Sequence, residues 1–235
     1  IRRCFQLDVF SPDIPDSFNG LRLAFLTDIH YASRFDDRSL EALGSAIRQL
    51  SPDAILLGGD YQEGCEYVEP LFTTIMATQP RYGGFAVMGN NDYERCTDII
   101  HNSMLRHNIH LLESAVDSIC INGQRIFIAG AHNDFSKHES SPSPTMSLKP
   151  SDFVILLTHT PDYVEDQDCK NTDLALAGHL HGGQVTLFGL IAPVIPSHYG
   201  QRFRHGLKYS SQAVPVLCSN GIGTSRKALR FCAAP

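Results

Sequence analysis

Short apolar runs alternate with helix-like stripes through the first half of the chain. Mainly apolar runs at 21–26, 54–57 and 85–88 are too short for helices and predict buried strands. Between these runs, apolar residues recur every three or four positions, which predicts helices. The stripes are Leu40, Leu43, Ile47 and Leu50; Val68, Leu71, Phe72, Ile75 and Met76; and Ile99, Ile100 and Met104. This alternation favours a mostly parallel sheet with crossover helices.

The second half of the chain predicts a further set of strands. Asn122-Gly123 lies between two apolar runs, 118–121 and 125–129, and this arrangement is typical of a β-hairpin. Buried strands are also predicted at 153–157, 174–177 and 214–218. We therefore expect an α/β fold in which a second sheet packs on the first. No low-complexity linker or internal repeat divides the chain, so residues 1–235 are predicted to form a single domain.

Polar residues that can bind metals follow several of the predicted strands directly. They are Asp28, His30, Asp60, Asn90, His159, His179 and His181. Asp28 and His30 are two residues apart, a spacing that points both side chains to one side of a strand. The carboxyl ends of parallel strands meet at one edge of a sheet, where functional groups gather. Any one of these residues alone is more often structural. Together they predict a metal site, because buried carboxylates and imidazoles are costly unless paired or metallated.

These residues occur in five blocks that resemble the calcineurin-like metallophosphoesterase superfamily. The blocks, in chain order, are Asp28-Ile29-His30, Gly59-Asp60, Gly89-Asn90-Asn91-Asp92, His159 and Gly178-His179-Leu180-His181. Two further stretches, Gly182-Gly183-Gln184 and Gly221–Ser225, are similar to a narrower bacterial branch. That branch contains YkuE-like phosphoesterases, often membrane-anchored, and relatives that cleave the pyrophosphate of UDP-2,3-diacylglucosamine.

The resemblance implies a four-layer α/β/β/α sandwich and a pair of divalent metal ions. One metal would be held by Asp28, His30 and His181, and the other by Asn90, His159 and His179. Asp60 would bridge the two metals. Mixed oxygen and imidazole ligands suit manganese, iron or zinc. The implied activity is hydrolysis of a phosphodiester or pyrophosphate bond by a metal-bridged hydroxide.

Asn91 departs from the family pattern, which often has histidine at this position. The resemblance makes Asn91 a candidate catalytic residue that polarises the phosphate. An asparagine amide donates a hydrogen bond but cannot transfer a proton to a leaving group. We therefore expect poor turnover of alkyl phosphomonoesters and better turnover of pyrophosphates or activated diesters. The alternative is a binding scaffold that has kept the fold and lost catalysis, and only Asn91 favours it.

Residues near the end of the chain suggest how a substrate is bound. The apolar stretch 187–196 is interpreted either as a lip for an acyl chain or membrane surface, or as a segment that packs against the sandwich or another subunit. Three arginines that follow are candidate substrate ligands, although a solvated basic face is the favoured interpretation for most basic residues of this region: Arg202, Arg204 and Arg226. A lipid-linked phosphoester or sugar nucleotide is therefore a candidate substrate, with peripheral membrane contact.

Composition adds expectations about partners and location. The formal net charge of −6 argues against broad nucleic-acid binding. The seven cysteines include no Cys-x-x-Cys pair, and such scattered thiols favour a reducing compartment. Because the chain begins at Ile1, an upstream segment is expected to have been removed. Arg2 and Arg3 would suit the cytoplasmic flank of a membrane anchor, or simply mark a domain boundary. Together with the resemblance to the bacterial branch, these features lead us to expect a membrane-associated bacterial protein with a cytoplasmic catalytic domain.

Overall fold

The computed structural model describes residues 5–32, 35–134, 139–225 and 227–235. Four parallel strands form the first sheet in chain order: β1 (Leu23–Leu26), β2 (Ala54–Leu57), β3 (Gly84–Ala86) and β4 (Ile109–Leu111). All four residues of β2 are buried. A strand covered on both faces is apolar at nearly every position, which is why residues 54–57 do not alternate between apolar and polar.

Helices connect these strands and cover one face of the first sheet. They are α1 (Asp37–Leu50), α2 (Val68–Ile75), α3 (Asn90–Glu94) and α4 (Thr97–Arg106). The predicted stripes of α1, α2 and α4 lie in one apolar cluster with residues of β2, such as Ile55 and Leu57, except for Leu50 and Ile99, which are exposed. Helix α1 begins where the Asp36 carboxylate accepts the backbone N–H of Ser39, a standard N-terminal cap. The crossover arrangement predicted from periodicity is therefore present.

The second half forms a six-stranded sheet in the order β11-β12-β10-β9-β6-β5 and a separate two-stranded ribbon, β7–β8. The strands are β5 (Ala115–Ile121), β6 (Gln124–Gly130), β7 (Asn133–Asp134), β8 (Glu139–Ser140), β9 (Val154–Leu157), β10 (Leu174–Ala177), β11 (Gly206–Tyr209) and β12 (Pro215–Cys218). The antiparallel β5–β6 pair turns at Asn122-Gly123 and confirms the predicted hairpin. Strands β6, β9, β10 and β12 run parallel, so their carboxyl ends share one edge.

The two sheets pack face to face around a shared apolar core. Leu56 and Phe85 from the first sheet lie in one cluster with Ile128 and Ile155 from the second. The outer face of the second sheet is covered by the one-turn helix α5 (Tyr163–Asp166) and by loop residues such as Phe203. The predicted fold class, a sandwich of two sheets with helices outside, is confirmed, and loops supply most of the fourth layer.

Several short elements were not expected from the apolar pattern: α3, β4, β7, β8, α5 and β11. Strands β4 and β11 are short, and α3 is a polar one-turn helix, so none of them carries a periodic signal long enough to detect.

Within the described residues, no helix combines the length and apolar character needed to cross a membrane.

The cysteines differ from the expectation of scattered free thiols, because Cys65 and Cys96 form a disulfide. Cys65 precedes α2 and Cys96 precedes α4, so the bond ties the starts of two neighbouring helices together. Their separation of 31 residues gave no local signal. Cys120, Cys169, Cys218 and Cys232 are free.

Removing this disulfide is expected to destabilise the protein. In the oxidised protein, Cys65→Ser should lower the free energy of unfolding by about 3 kcal/mol, because a cross-link restricts the unfolded chain. Denaturant titration measures this change, and Cys120→Ser, at an exposed free cysteine, is the control. Under reducing conditions, the wild type and Cys65→Ser should become nearly equal. A difference that persists after reduction would contradict a stabilising role for the bond.

Candidate metal centre

The loops that carry the predicted ligands are joined by backbone hydrogen bonds that continue beyond the strands. The Asp28 N–H donates to the Gly59 carbonyl at 2.9 Å, and the His30 N–H donates to the Asp60 carbonyl at 3.1 Å. On the second sheet, the Gly178 N–H donates to the His159 carbonyl at 2.9 Å. These bonds hold each pair of ligand-bearing loops side by side at the carboxyl ends of their strands.

Asp28, His30 and His181 form the first cluster of potential ligands. Each offers one ligand atom, and these atoms all lie within 4.8 Å of one another. His30 Nε2 lies 3.2 Å from His181 Nε2, and His181 Nε2 lies 3.4 Å from Asp28 Oδ1. All three residues are buried. The first sheet therefore supplies two ligand groups and the second sheet the third.

Asp60, His159 and His179 form the second cluster, and their ligand atoms also lie within 4.8 Å of one another. His159 Nε2 lies 3.1 Å from His179 Nδ1 and 3.5 Å from Asp60 Oδ2. His159 Nδ1 lies 2.7 Å from the Gly58 carbonyl oxygen, which can only accept. Nδ1 therefore carries a proton, and Nε2 is the ring nitrogen that faces the cluster. A hydrogen bond from the ring nitrogen that does not bind metal commonly orients a metal-binding histidine.

Asp60 joins the two clusters through a single oxygen. Its Oδ2 lies 3.4 Å from His30 Nε2 and 3.5 Å from His159 Nε2. The carboxylate thus lies between one imidazole from each group. This is the position that the sequence-based expectation of a bridging ligand requires.

The residues present fit a pair of divalent cations. Asn90 Oδ1 is buried and accepts no hydrogen bond from the described residues, so it is an acceptor with no donor. Its neighbours in the chain both approach Asp60: the Asn91 N–H donates to Asp60 Oδ1, and a Cβ at Gly89 would lie 2.2 Å from that oxygen. A cation at the second cluster would give the Asn90 oxygen a partner. Imidazole, carboxylate and amide ligands together suit manganese, iron or zinc.

The protonation of the clusters also suits cations. Burial lowers the pKa of His179 and of His181 to about 4, so both imidazoles are neutral and keep lone pairs at neutral pH. Burial opposes a charge on Asp60, but neighbouring His159 and His30 hold its pKa well below the usual range. Burial likewise opposes a charge on His159, yet the Asp60 carboxylate raises its pKa to about 10. A cation would balance the Asp60 charge in place of that proton.

The backbone at these ligands is unusual. Asp28, His30, Asp60, His179 and His181 all have positive φ, between 46° and 68°. Residues with a Cβ rarely adopt this region, and such conformations gather at functional sites. Strand β1 ends at Leu26, so Asp28 and His30 lie in a loop beyond it. The expected convergence of the two side chains is present, but its cause is left-handed loop geometry and not strand alternation.

Glycines next to the ligands allow the loops to approach closely. Gly59 has a φ of +92°, and a Cβ there would lie 2.4 Å from the backbone nitrogen of Gly89. A Cβ at Gly178 would lie 2.2 Å from Asp28 Oδ2. A side chain at either position would collide with a neighbouring loop and separate the clusters.

Two residues that the sequence reasoning left unassigned position the ligands. Buried Asp92 accepts the N–H groups of Asp60, Tyr61 and Gly89 at 2.7, 3.0 and 2.8 Å. Burial, followed by the nearby Asp60 charge, raises the pKa of Asp92 to about 7. Its place in the Gly89–Asp92 block was the available signal, but the role depends on contacts with a loop about 30 residues away.

Arg230 is the second of these residues. Its guanidinium donates to the His181 carbonyl at 3.1 Å and to carbonyls of the loop that carries Gly221 and Gly223. Its Nη2 also lies 3.4 Å from His181 Nδ1. Burial lowers the pKa of Arg230 to about 10. In the sequence, Arg230 follows Arg226 and Lys227, which suggests a solvated basic face, whereas the structure makes it a support for His181.

The predicted catalytic residue, Asn91, contacts Asp60. Its Nδ2 donates to Asp60 Oδ2 at 2.7 Å, and its backbone N–H donates to Asp60 Oδ1 at 3.0 Å. The structure thus gives Asn91 a positioning contact with the shared carboxylate. A direct contact with the phosphate of a substrate stays a prediction.

The candidate substrate arginines have other partners. Arg204 is buried and donates to the carbonyls of Gly189 and Leu190 at 2.7 and 3.2 Å. Arg202 pairs with Glu165 at 2.8 Å. Neither contact favours the predicted role in binding phosphate, and Arg204 is instead a structural group that satisfies loop carbonyls. Arg226 lies outside the described residues.

Comparison with known proteins agrees with this geometry. Residues 21–183 match the family described as calcineurin-like phosphoesterase. The uncharacterized metallophosphoesterase YkuE of Bacillus subtilis is 26% identical over 231 residues, which cover 94% of this chain and 79% of YkuE. The phosphodiesterase YaeI of Escherichia coli is 30% identical over 197 residues, which cover 78% of this chain and 70% of YaeI. Some curated relatives are longer, and the chain spans 57% of one from Helicobacter pylori.

A solved dimetal phosphatase from Danio rerio has the same fold, with a TM-score of 0.51 and 12% identity over 86% of this chain and 88% of that one. The two-sheet sandwich and its paired ligand clusters therefore define a metallo-dependent phosphatase-like protein. The chain belongs to the calcineurin-like phosphoesterase family, and it is a metal-dependent phosphoesterase. These findings favour the hydrolase over the scaffold alternative.

Loss of the shared carboxylate should empty both metal positions. Asp60→Ala is expected to lower bound metal from about two equivalents to less than one and to lower turnover by at least ~10³-fold, because Asp60 lies between the clusters. Elemental analysis and hydrolysis of bis-p-nitrophenyl phosphate measure the two effects. The control is Asp168→Ala, at an exposed aspartate whose partner among the described residues is Lys170. Full metal content with retained turnover in Asp60→Ala would rule out this centre.

We expect Asp92 to affect metal affinity and turnover although it is not a predicted ligand. Asp92→Asn replaces one acceptor oxygen with an NH₂ group that faces backbone N–H groups, so the Asp60 loop should shift. Metal affinity or turnover should fall by about 10- to 100-fold, as for other groups that orient ligands. Titration of metal-free protein with Mn²⁺ measures this change. The control is Asp98→Asn, at an exposed position of α4. Equal affinities for the two variants would exclude the positioning role.

Proposed function

We propose that this metal-dependent phosphoesterase cleaves a pyrophosphate bond, or a phosphodiester with an activated leaving group, in preference to an alkyl phosphomonoester. The observation that carries the proposal is Asn91, which stands where the family often has histidine and directs its amide to Asp60 Oδ2 at 2.7 Å. The amide supplies no proton for a leaving alkoxide. A phosphate leaving group needs less help because its second pKa is about 6.

The chain's own residues explain how such a bond would be held and polarised. Two divalent cations, when bound, would neutralise phosphate oxygens and acidify a water molecule. The residues around them fix the ligand geometry before substrate arrives. Asp92 and Asn91 hold Asp60, the Gly58 carbonyl sets the His159 tautomer, and Arg230 supports His181. Such preorganisation lowers the cost of reaching the transition state.

The choice of substrate class draws on two further points. The relative YaeI carries the name phosphodiesterase, which supports a diester as substrate. The branch that the sequence resembles includes enzymes acting on UDP-2,3-diacylglucosamine, so a lipid-linked sugar nucleotide is the specific substrate we propose. The predicted location, a bacterial membrane surface with the catalytic domain on the cytoplasmic side, stays a prediction.

Restoring the family's histidine tests the bond preference. Asn91→His is expected to raise kcat/KM for an alkyl phosphomonoester such as glycerol phosphate by ~10²-fold or more, because imidazole can protonate the leaving alkoxide. Turnover of bis-p-nitrophenyl phosphate and of a nucleotide-sugar pyrophosphate should change much less. The control is Asn102→His, on the exposed face of α4, with the metal content measured for each variant. If metal-loaded Asn91→His gained nothing on the alkyl ester, Asn91 would not set the preference.

A further inference from the structure

An exposed apolar surface lies beside the metal centre. We call residues 185–194 the apolar lip, and its most exposed members are Phe188 at 86%, Val194 at 77% and Leu190 at 75%. Leu187 and Ile191 are also exposed, as are Leu229 and Phe231 in the adjacent segment. Single exposed apolar residues are ordinary, but a contiguous group of this kind marks an interaction surface.

Hydrogen bonds give the lip a defined shape. Its Leu187 N–H donates to the Ile191 carbonyl at 2.8 Å, and the turn between them has positive φ at Phe188 and Gly189. Phe188 is therefore at the tip of a tight hairpin. Thr186 Oγ1 donates to the carbonyl of Phe231 at 3.2 Å, so the lip is fastened to the segment near the chain end. The apolar side chains are exposed on an organised loop.

The lip is built onto the turn that carries a predicted metal ligand. It begins four residues after His181, and Arg204 donates both to the Gly182 carbonyl at 3.5 Å and to the Gly189 carbonyl at 2.7 Å. Arg230 connects the same His181 turn to the loop around Gly223. A molecule held at the lip would therefore have its polar part close to the metal centre.

Charge along the chain indicates what covers the lip. All 25 acidic residues of the protein precede residue 174. Residues 174–235 contain no acidic residue and six of the 19 basic ones: Arg202, Arg204, Lys208, Arg226, Lys227 and Arg230. The chain thus has a net charge of −6 overall, whereas residues 174–235, the part of the sequence that includes the lip, carry +6. Exposed Lys227 and half-buried Lys208 are next to exposed apolar residues of these segments.

We propose that the apolar lip, with exposed Lys227 in the adjacent segment, docks on an anionic lipid bilayer, with Phe188 and Leu190 in the interface. Apolar side chains at a tip with a basic residue nearby are a combination that binds the boundary between headgroups and acyl chains. The inference deepens the proposed function, since docking would present the metal centre to a phosphoester carried by a lipid. Binding itself requires no turnover and can be measured separately.

Vesicle co-sedimentation of the purified chain tests the proposal. Vesicles of phosphatidylcholine with a quarter phosphatidylglycerol should bind the protein, and high salt or pure phosphatidylcholine should weaken binding. Phe188→Ser/Leu190→Ser should reduce partitioning roughly tenfold or more, because two apolar anchors are lost. Lys227→Gln should reduce it by about fivefold, which is the effect of one charge near an anionic surface. The control is Leu105→Ser, which removes an equally exposed side chain, at 77%, from α4.

The outcomes separate the docking surface from the chemistry. The double variant should keep wild-type metal content and wild-type turnover of soluble bis-p-nitrophenyl phosphate while it loses vesicle binding. Docking would be excluded by an absence of binding to anionic vesicles, or by equal binding of the double variant and Leu105→Ser. A concentration-dependent dimer that the double variant abolishes, without vesicle binding, would assign the lip to a second copy of the chain. Each of these results leaves the bond preference of the enzyme to be judged by its own assay.

Discussion

The site depends on one buried carboxylate that two sheets share. Asp60 is almost fully buried, yet its neighbours hold its pKa far below the usual range, so it is ionised. A buried charge without compensation would be severely destabilising. The compensation comes from His30 on the first sheet and His159 on the second, each about 3.5 Å from the same oxygen. The edge at which the sheets meet is therefore organised around a charge that neither sheet could accommodate alone.

The surrounding chain is arranged to keep that carboxylate in place. Buried strands such as β2 end in loops whose backbone adopts left-handed conformations at the ligands, which is unfavourable for residues with a Cβ. Asp92 binds the backbone of the Asp60 loop, and glycines at 59 and 178 remove side chains that would separate the loops. The apolar core between the sheets fixes the strands from which these loops emerge. The packed core thus holds the strands whose loops adopt these unfavourable conformations.

Much of this arrangement could be predicted from sequence, because its signal is local. An apolar run that stops at Asp or His can be recognised within ten residues, and the six Asp and His ligands so predicted lie in the two clusters. Positioning residues have no such signal. Asp92 acts through backbone groups of a loop about 30 residues earlier, and Cys65 and Cys96 meet only because α2 and α4 pack together. Arg204 is the converse case, since a basic residue in a loop region suggested solvent or phosphate, whereas the structure has it donating to loop carbonyls, and its contact with substrate stays a prediction.

Two arginines of residues 174–235, the stretch without acidic residues, connect the candidate metal centre to the protein surface. Arg230 supports the turn of His181, and Arg204 joins that same turn to the apolar lip. Because both guanidinium groups are held by several carbonyls, they connect the lip and the ligand turn through hydrogen bonds as well as through the chain. Burying cations is costly, and here the cost is offset by backbone acceptors that would otherwise lack donors. The same contacts that keep His181 in position therefore also determine where the exposed apolar tip stands relative to the metal centre.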